Sequence, residues 1–481
     1  MWWIPLVVII VVVLATSLPG FIAYRYFKPK TLWDFMAAGK TLGLLAVTLS
    51  VGATQWSALS FMGFIAFYYI HGVPGWLAMG LAYMLISVFL YGFLGYRVNK
   101  LAERYKAVTP SDAVELFFKD KVTAVITGLL FFIALLPYMQ VQIGGIAYIL
   151  EVSSGGRIPF IYGALIAYIV MAVYMWFGGL KSIAWANILQ GVFFLALAFG
   201  IGAYMLVLAG GTTGISQLAT TMPQAFMLPG IAGVMTAAYL LSWSIPVQLG
   251  WPLQPQIYMQ FAAAKRKEFL FYLPALIPIA ATGLYFMQQV ITWLAGRVLY
   301  PKGFPPGPDK LLITILYERW HPILFGLVGG AGMAAMMSTL STQALAIGSA
   351  FVNDILRRIA KIEERKALII LKIIMILALF GGLILWFVMP WLLMTLGALS
   401  AAIGAITAIS IIPALFNIRF VTKYGASAGM ILGFAVLVYT TFVAKDPLGL
   451  YSGFWGMFTA VVTCIIVSLF TRKYRPQPLQ Y

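Results

Sequence analysis

Three stretches of this chain put polar atoms where hydrocarbon would be expected. Residues 49–73, LSVGATQWSALSFMGFIAFYYIHGV, are long enough to cross a bilayer, which takes ~20 residues, yet they open on Gly52-Ala53-Thr54-Gln55-Trp56-Ser57. A helix break there frees carbonyls such as those of Ala53 and Trp56 to hold a cation. It also leaves a half-helix N-terminus near Ser57 facing a polar substrate. The alternative is an intact helix whose Ser and Thr pack against neighbours. Residues 329–355 place Ala335, Ser338, Thr339 and Thr342 on one helical face. Read as chemistry, the Ser338 and Thr339 hydroxyls and the Ala335 carbonyl are cation ligands; read as packing, the face is a close small-residue contact. Residues 241–261 carry Pro246, Gly250, Pro252 and Pro255, too many breakers for one regular helix, with Trp243, Gln248 and Gln254 nearby.

The elements that position these residues are membrane helices. The chain has 481 residues, 62% hydrophobic and 9% charged, and apolar runs longer than 18 residues recur along it. Thirteen spans are expected, near 2–25, 42–70, 75–97, 122–150, 158–179, 183–209, 230–250, 270–296, 321–353, 368–389, 391–416, 425–444 and 450–471. The first lacks a basic leader and a cleavage site, so it is expected to be retained. With the N-terminus outside, 25 of the 31 Lys and Arg fall in cytoplasmic loops and ends; Arg157, Arg297, Lys302, Lys310, Arg319 and Lys445 fall outside. That bias fits an odd number of spans with the C-terminus inside. The net charge of +18 therefore reflects topology and not a nucleic-acid surface. All 13 carboxylates lie in loops or at span ends, which argues against a proton relay at the midplane. One cysteine and two histidines, His71 and His321, leave no soft metal centre. A midplane cation must be held by neutral oxygens, which suit an alkali ion.

The breaks fall in the second and seventh spans, and an offset of five places two halves in opposite orientations. Here the chain resembles the sodium/solute symporter family, whose members carry proline, sugars, sialic acid and pantothenate. The resemblance rests on Asp34-Phe35, Ala38-Gly39-Lys40, Leu49-Ser50-Val51-Gly52-Ala53 with Ser57 and Gly63, and Phe177-Gly178-Gly179 with Trp185. It rests also on Ala262-Ala263-Ala264-Lys265 and on Ala334-Ala335-Met336-Met337-Ser338-Thr339-Leu340-Ser341, with Asp354 beyond. It implies an all-α, LeuT-like membrane protein with a five-plus-five inverted-repeat core. The first repeat would be 42–209 and the second 230–416, with one helix before (2–25) and two after (425–471), all in a single domain.

The resemblance also implies a sodium site made of Ala53, Trp56, Ala335, Ser338 and Thr339. In some relatives a second cation sits one turn on, at the positions of Asn187, Ser341 and Thr342 here. Several relatives carry an acid where this chain has Gln55 or Asn187, so one sodium per solute is expected. By position, the substrate would meet Gln55, Ser57, Ser60, Tyr138, Gln142, Trp243 and Gln248. The expectation is a sodium-coupled symporter of a small organic solute, a carboxylate or amino acid, working by alternating access in the plasma membrane of a prokaryote. A sugar or polyol, or a proton-coupled or uncoupled carrier, is the alternative. A channel lacks a continuous polar lining, a membrane enzyme lacks paired catalytic residues, and a sensor lacks a signalling domain. Partners are the solute, sodium and the bilayer; a monomer suffices and the oligomeric state stays open.

Overall fold

A computed structural model describes residues 2–26, 29, 31–177 and 179–479, the side chains of 24 and 173–177 excepted. Lys28, Lys30 and Gly178, used above in the charge map and the Phe177-Gly178-Gly179 motif, lie outside the described residues. The chain is built from helices, named here α1 (Trp3–Tyr26), α2 (Leu44–Gln55), α3 (Leu59–His71), α4 (Val73–Tyr105), α5 (Lys121–Ser153), α6 (Phe160–Phe177), α7 (Leu180–Leu208), α8 (Ala237–Gly250) and α9 (Pro255–Ala263). They continue as α10 (Lys267–Ala280), α11 (Gly283–Leu299), α12 (Pro322–Ile359), α13 (Glu364–Val388), α14 (Leu393–Phe416), α15 (Lys423–Ala444) and α16 (Ser452–Phe470). Among the described residues nine helices are long and apolar enough to cross a membrane, and two bent pairs, α2 with α3 and α10 with α11, raise the number to eleven. The other two expected spans correspond to α6, whose described apolar part is Phe160–Ala172, and to the interrupted α8–α9.

The bends have local causes. The α2–α3 pair bends by 59° at Trp56, whose φ of −80° and ψ of 81° leave the helical region. The α10–α11 pair bends by 41°. Pro278 lies inside α10 and gives no N–H to the ladder, and the Thr282 hydroxyl donates to the Pro278 carbonyl at 2.8 Å. The seventh crossing differs from the expected 230–250. It starts at Ala237, turns through Trp251–Leu253, and runs on to Ala263. Pro246 is tolerated inside α8; the break falls at Gln254, extended at ψ 134° ahead of Pro255.

Glycine decides which helix is central. Most of α12 is inside the protein: 83% of its most apolar stretch is buried, against 33% for α1. On α12, Gly326, Gly329 and Gly330 take the side chains of Val8, Ile9 and Val12, so α1 lies directly on its backbone. These glycines lie N-terminal to Ala335, and Gly348, beyond Ser338, takes Leu371 and Met375 of α13 in the same way. Gly425, Gly429 and Gly433 do the same for α15 against α16.

Loops segregate onto two faces. On the basic face the start of α2 pairs with the end of α9: the Leu42 N–H donates to the Ala263 carbonyl at 3.1 Å, and the Lys265 N–H to the Leu42 carbonyl at 2.8 Å. Asn99 of α4 donates to the Phe261 and Ala264 carbonyls, both at 2.8 Å. Lys40 pairs with Glu103, and Arg358 holds Asp112, Glu115 and the buried Asp354. On the opposite face Arg297 donates to the Tyr69 carbonyl, Lys310 pairs with Glu151, and the Tyr239 hydroxyl donates to Asp446.

Candidate functional site

At the α2–α3 break the helical ladder is interrupted and side chains take over. The Ser57 N–H, which a continuous helix would aim at the Ala53 carbonyl, instead meets the Ser60 hydroxyl at 3.4 Å. The Ala58 N–H donates to Gln142 Oε1 at 3.0 Å and the Leu59 N–H to the Ser57 hydroxyl at 3.1 Å. The Ser60 hydroxyl donates to the Gln55 carbonyl at 2.7 Å. Three successive N–H groups at the start of α3 are thus held by three side-chain oxygens. Beyond them, Gln289 Nε2 donates to the Ser60 carbonyl at 2.9 Å and Gln288 Nε2 to the Phe61 carbonyl at 3.1 Å. Gly52 and Gly191 make room for the Trp56 ring; a Cβ on Gly52 would lie 2.6 Å from it.

The Ala53 carbonyl, released from its ladder, turns to α12. The Ser338 hydroxyl lies 3.0 Å from it and 2.6 Å from the Ala335 carbonyl, and the Thr339 hydroxyl lies 3.2 Å from each. Two carbonyls and two hydroxyls therefore converge between α2 and α12, all on residues no more than 3% exposed. Trp56, next to this group, carries its carbonyl past the end of the helix. A set of hard neutral oxygens fits an alkali cation and offers nothing to a soft metal. Among the described residues no group of three His, Cys, Asp or Glu side chains could hold a metal ion.

The remaining sequence candidates divide. Asn187 reaches α2, donating to the Ser50 hydroxyl at 3.4 Å, and its Oδ1 is buried with no partner among the described residues. The Ser341 and Thr342 hydroxyls donate to carbonyls of their own helix, at 2.9 Å to Ser338 and 2.8 Å to Thr339. Gln55, Ser57, Ser60, Tyr138 and Gln142 gather at the break, with the Tyr138 hydroxyl toward Ser57. Gln55 Nε2 is buried and unpartnered among the described residues. Trp243 and Gln248 are placed elsewhere. Trp243 stacks on Phe67 at 5.2 Å and lines a cavity of about 490 Å³ on the less basic face, with His71, Tyr239 and Tyr451. Gln248 is used up in tying α8 to α4: it accepts from the Ser87 hydroxyl at 2.8 Å and donates to the Ala78 carbonyl at 3.3 Å.

The aromatic that joins the break is Trp251, at the turn after α8, with its ring 5.1 Å from that of Tyr138. Its signal was available, because Trp251 stands immediately before Pro252 in the breaker-rich stretch. Gln288 and Gln289 had no such signal, since nothing in sequence links α11 to the break.

A sequence profile of the Sodium:solute symporter family matches residues 35–433. Across 98% of its length the chain is 25% identical to sodium/proline symporter 2 of Staphylococcus saprophyticus, covering 93% of that protein. It is 23% identical to the uncharacterized symporter YodF of Bacillus subtilis, over 98% of this chain and 95% of that one. In structure it is similar to a Na⁺-coupled sialic acid symporter in a substrate-bound outward-open state, with a TM-score of 0.72 at 17% identity over 99% of both chains. It is also similar to Mhp1, a nucleobase-cation-symport-1 transporter in a closed conformation, with a TM-score of 0.57 at 14% identity over 91% of this chain and 93% of that one.

Proposed function

Because the chain belongs to the sodium:solute symporter family, we propose that its α2–α3 break is where a small zwitterionic carboxylate, such as proline or a similar amino acid, meets sodium-driven transport. The protein is a multi-pass membrane symporter of LeuT-like fold that couples solute movement to sodium; it is not an enzyme. In this reading sodium is bound by the Ala53, Trp56 and Ala335 carbonyls and the Ser338 and Thr339 hydroxyls. Sodium there ties α2 to α12 and favours the outward-open arrangement that receives the solute.

The observation that carries the substrate class is the row of N–H groups on Ser57, Ala58 and Leu59. Each is held by a side-chain oxygen, from Ser60, Gln142 and Ser57, that can swing aside. A carboxylate at a half-helix N-terminus can replace all three acceptors and gains the helix dipole. Trp251 and Tyr138 give the apolar body of the solute an aromatic wall. That wall also favours the second reading, a sugar or polyol, which would use the same Ser and Gln groups.

The repeats are read as 42–209 and 230–416 in one domain, the second now starting its helix at Ala237. The basic face is read as cytoplasmic and the N-terminus as outside, in a prokaryotic plasma membrane. With Asn187 neutral and turned to Ser50, one sodium accompanies each solute. The membrane potential contributes ~2.3 kcal/mol per charge per 100 mV, so one sodium driven by 100 mV alone sustains roughly fortyfold accumulation at ~1.4 kcal/mol per decade, and an inward sodium gradient adds to it.

The test is thermal stability of the purified protein in sodium, potassium or choline chloride, across amino acids, organic acids, sugars and polyols. Ligands of the folded state raise the melting temperature by mass action. A sodium-specific rise enlarged by proline or another amino acid supports the proposal. Enlargement by a polyol alone favours the second reading. No sodium-specific rise rejects the cation site, and a rise only with falling pH points to proton coupling.

A further inference from the structure

On the less basic face, between α11 and α12, the turn Pro308–Lys310 and the helix Leu311–Arg319 form a cover over the outer half of the broken second crossing. Asp309 points into it, 5% exposed. One carboxyl oxygen accepts from the Leu393 N–H at 3.2 Å, at the start of α14; the other is buried with no partner among the described residues. A carboxylate out of water with one hydrogen bond and no cation is a costly arrangement, and a proton relieves it.

The neighbouring charges do not supply a cation. Lys310, beside it, is drawn to Glu151 of α5 at 2.8 Å, with its ammonium over the ring of Tyr148. From α3 come Tyr68, Tyr69 and His71. The Tyr69 hydroxyl donates to the Tyr300 carbonyl, and His71 lines the Trp243 cavity. Arg297 is spent on the Tyr69 and Pro301 carbonyls. On Leu311–Arg319, Tyr317 is half-buried and Glu318 and Arg319 are exposed.

We propose that Asp309 is a proton-binding site of the outer cover, so that the proton is a third ligand of this symporter, one that holds the cover shut. Burial pushes the Asp309 carboxyl up to about 7, with the Leu393 N–H pulling weakly the other way. With the cover lifted into water the group returns to the ordinary aspartate value near ~4. The packed cover therefore binds the proton more tightly than the lifted one. Its advantage is complete below the lifted-state value and is lost as the pH rises through about 7. This inference rests on the outward orientation of the less basic face, not on the identity of the solute.

Two measurements test it. Across pH 8 to 5 the melting temperature of Asp309→Asn is compared with that of the natural protein. The amide keeps an acceptor for the Leu393 N–H and carries no charge. The variant is expected to be more stable above pH 7, with the gap shrinking as the pH falls; a gap independent of pH overturns the proposal. In proteoliposomes at a fixed sodium gradient, with proline as probe, lowering the external pH from 8 to 6 is expected to slow uptake. The packed-to-lifted ratio shifts about tenfold over that interval. Lowering the internal pH is expected to have no such effect, and Asp309→Asn to stay flat at the acid level. External pH dependence that survives in Asp309→Asn, or dependence on internal pH alone, overturns it. If proline is not carried, the stability arm still decides. Asp309→Ser replaces the amide variant if that one fails to reach the membrane.

Discussion

At the scale of single residues, the sodium reading depends on oxygens that have lost their helical partners. Ala53 accepts from α12 because the Ser57 N–H is diverted to Ser60. Removing one hydroxyl ligand, Ser338→Ala, is expected to raise the sodium concentration for half-maximal stabilisation by roughly ten- to a hundredfold, since a bond to a charged group is worth ~1.5–3 kcal/mol. Thr339→Ser keeps the oxygen and should leave that concentration nearly unchanged. Sodium titrations of melting temperature check both, and an unaltered midpoint in Ser338→Ala would remove that residue from the site. Asn187 offers the complementary experiment. Its Oδ1 is already buried and unpartnered among the described residues, so Asn187→Asp puts a charge where a second cation could be held. The Hill coefficient for sodium in uptake should rise from near one toward two. As types these residues were visible in the sequence, as neutral oxygens on one face of α12 and a polar run in a membrane helix, with close packing as the other use open to both. Their partners were not, because the pairing of Ser57 with Ser60, or of Asn187 with Ser50, is set by how a broken backbone turns.

At the scale of elements, the breaks are held open by glutamines from other helices. Gln142 satisfies one N–H of α3, and Gln288 and Gln289 satisfy two of its carbonyls. The bend of α10–α11 brings the last two into reach, so the two bent crossings fix each other. Gln289→Leu is expected to cost ~1–3 kcal/mol of stability, because the Ser60 carbonyl loses a buried partner. It should also raise KM for the solute more than it lowers kcat, since the N-terminus of α3 loses its aim; Gln289→His, which keeps an N–H, should restore part of both. A loss of stability with unchanged KM would leave Gln289 a packing residue only. Sequence pointed to a break in α8–α9 from its prolines, and offered one in α2–α3 from Gly52–Ser57 beside the alternative of an intact helix. It missed the α10–α11 bend, because Pro274 and Pro278 sit in a run apolar enough to read as one span. For Gln248, set by position among the residues that would meet the substrate, an amide within a membrane helix signals only that it needs a partner. Here the partners are Ser87 and the α4 backbone.

At the scale of the whole molecule, the two broken crossings are strapped together through their backbones on one face and meet through stacked side chains, Trp243 on Phe67, on the other. On the basic face Leu42, Ala263 and Lys265 join α2 to α9 through their backbones, and Asn99 fastens the end of α9 and the turn beyond it to α4. On the opposite face α3 is held by Arg297, at the end of α11, and α8 by Asp446, in the loop between α15 and α16. In the orientation proposed above, the inner halves are thus linked by backbone bonds into one unit with α4, while the outer halves meet through side-chain stacking that can part, as an outer entrance over the break would require. Asn99→Ala removes both straps from α4 and leaves the Ala264 carbonyl short of a donor, while the Phe261 carbonyl keeps the Ala264 N–H at 3.4 Å; the expected cost is ~1–3 kcal/mol. Its fall in melting temperature should be the same in sodium and in potassium, because the strap does not touch the cation. Ser338→Ala should lose more stability in sodium than in potassium, where only its hydrogen bonds to the Ala53 and Ala335 carbonyls are lost. If Asn99→Ala proved sodium-dependent, the basic-face strap would be coupled to cation binding through α2, and the inner halves would have to be treated as part of the sodium-driven switch.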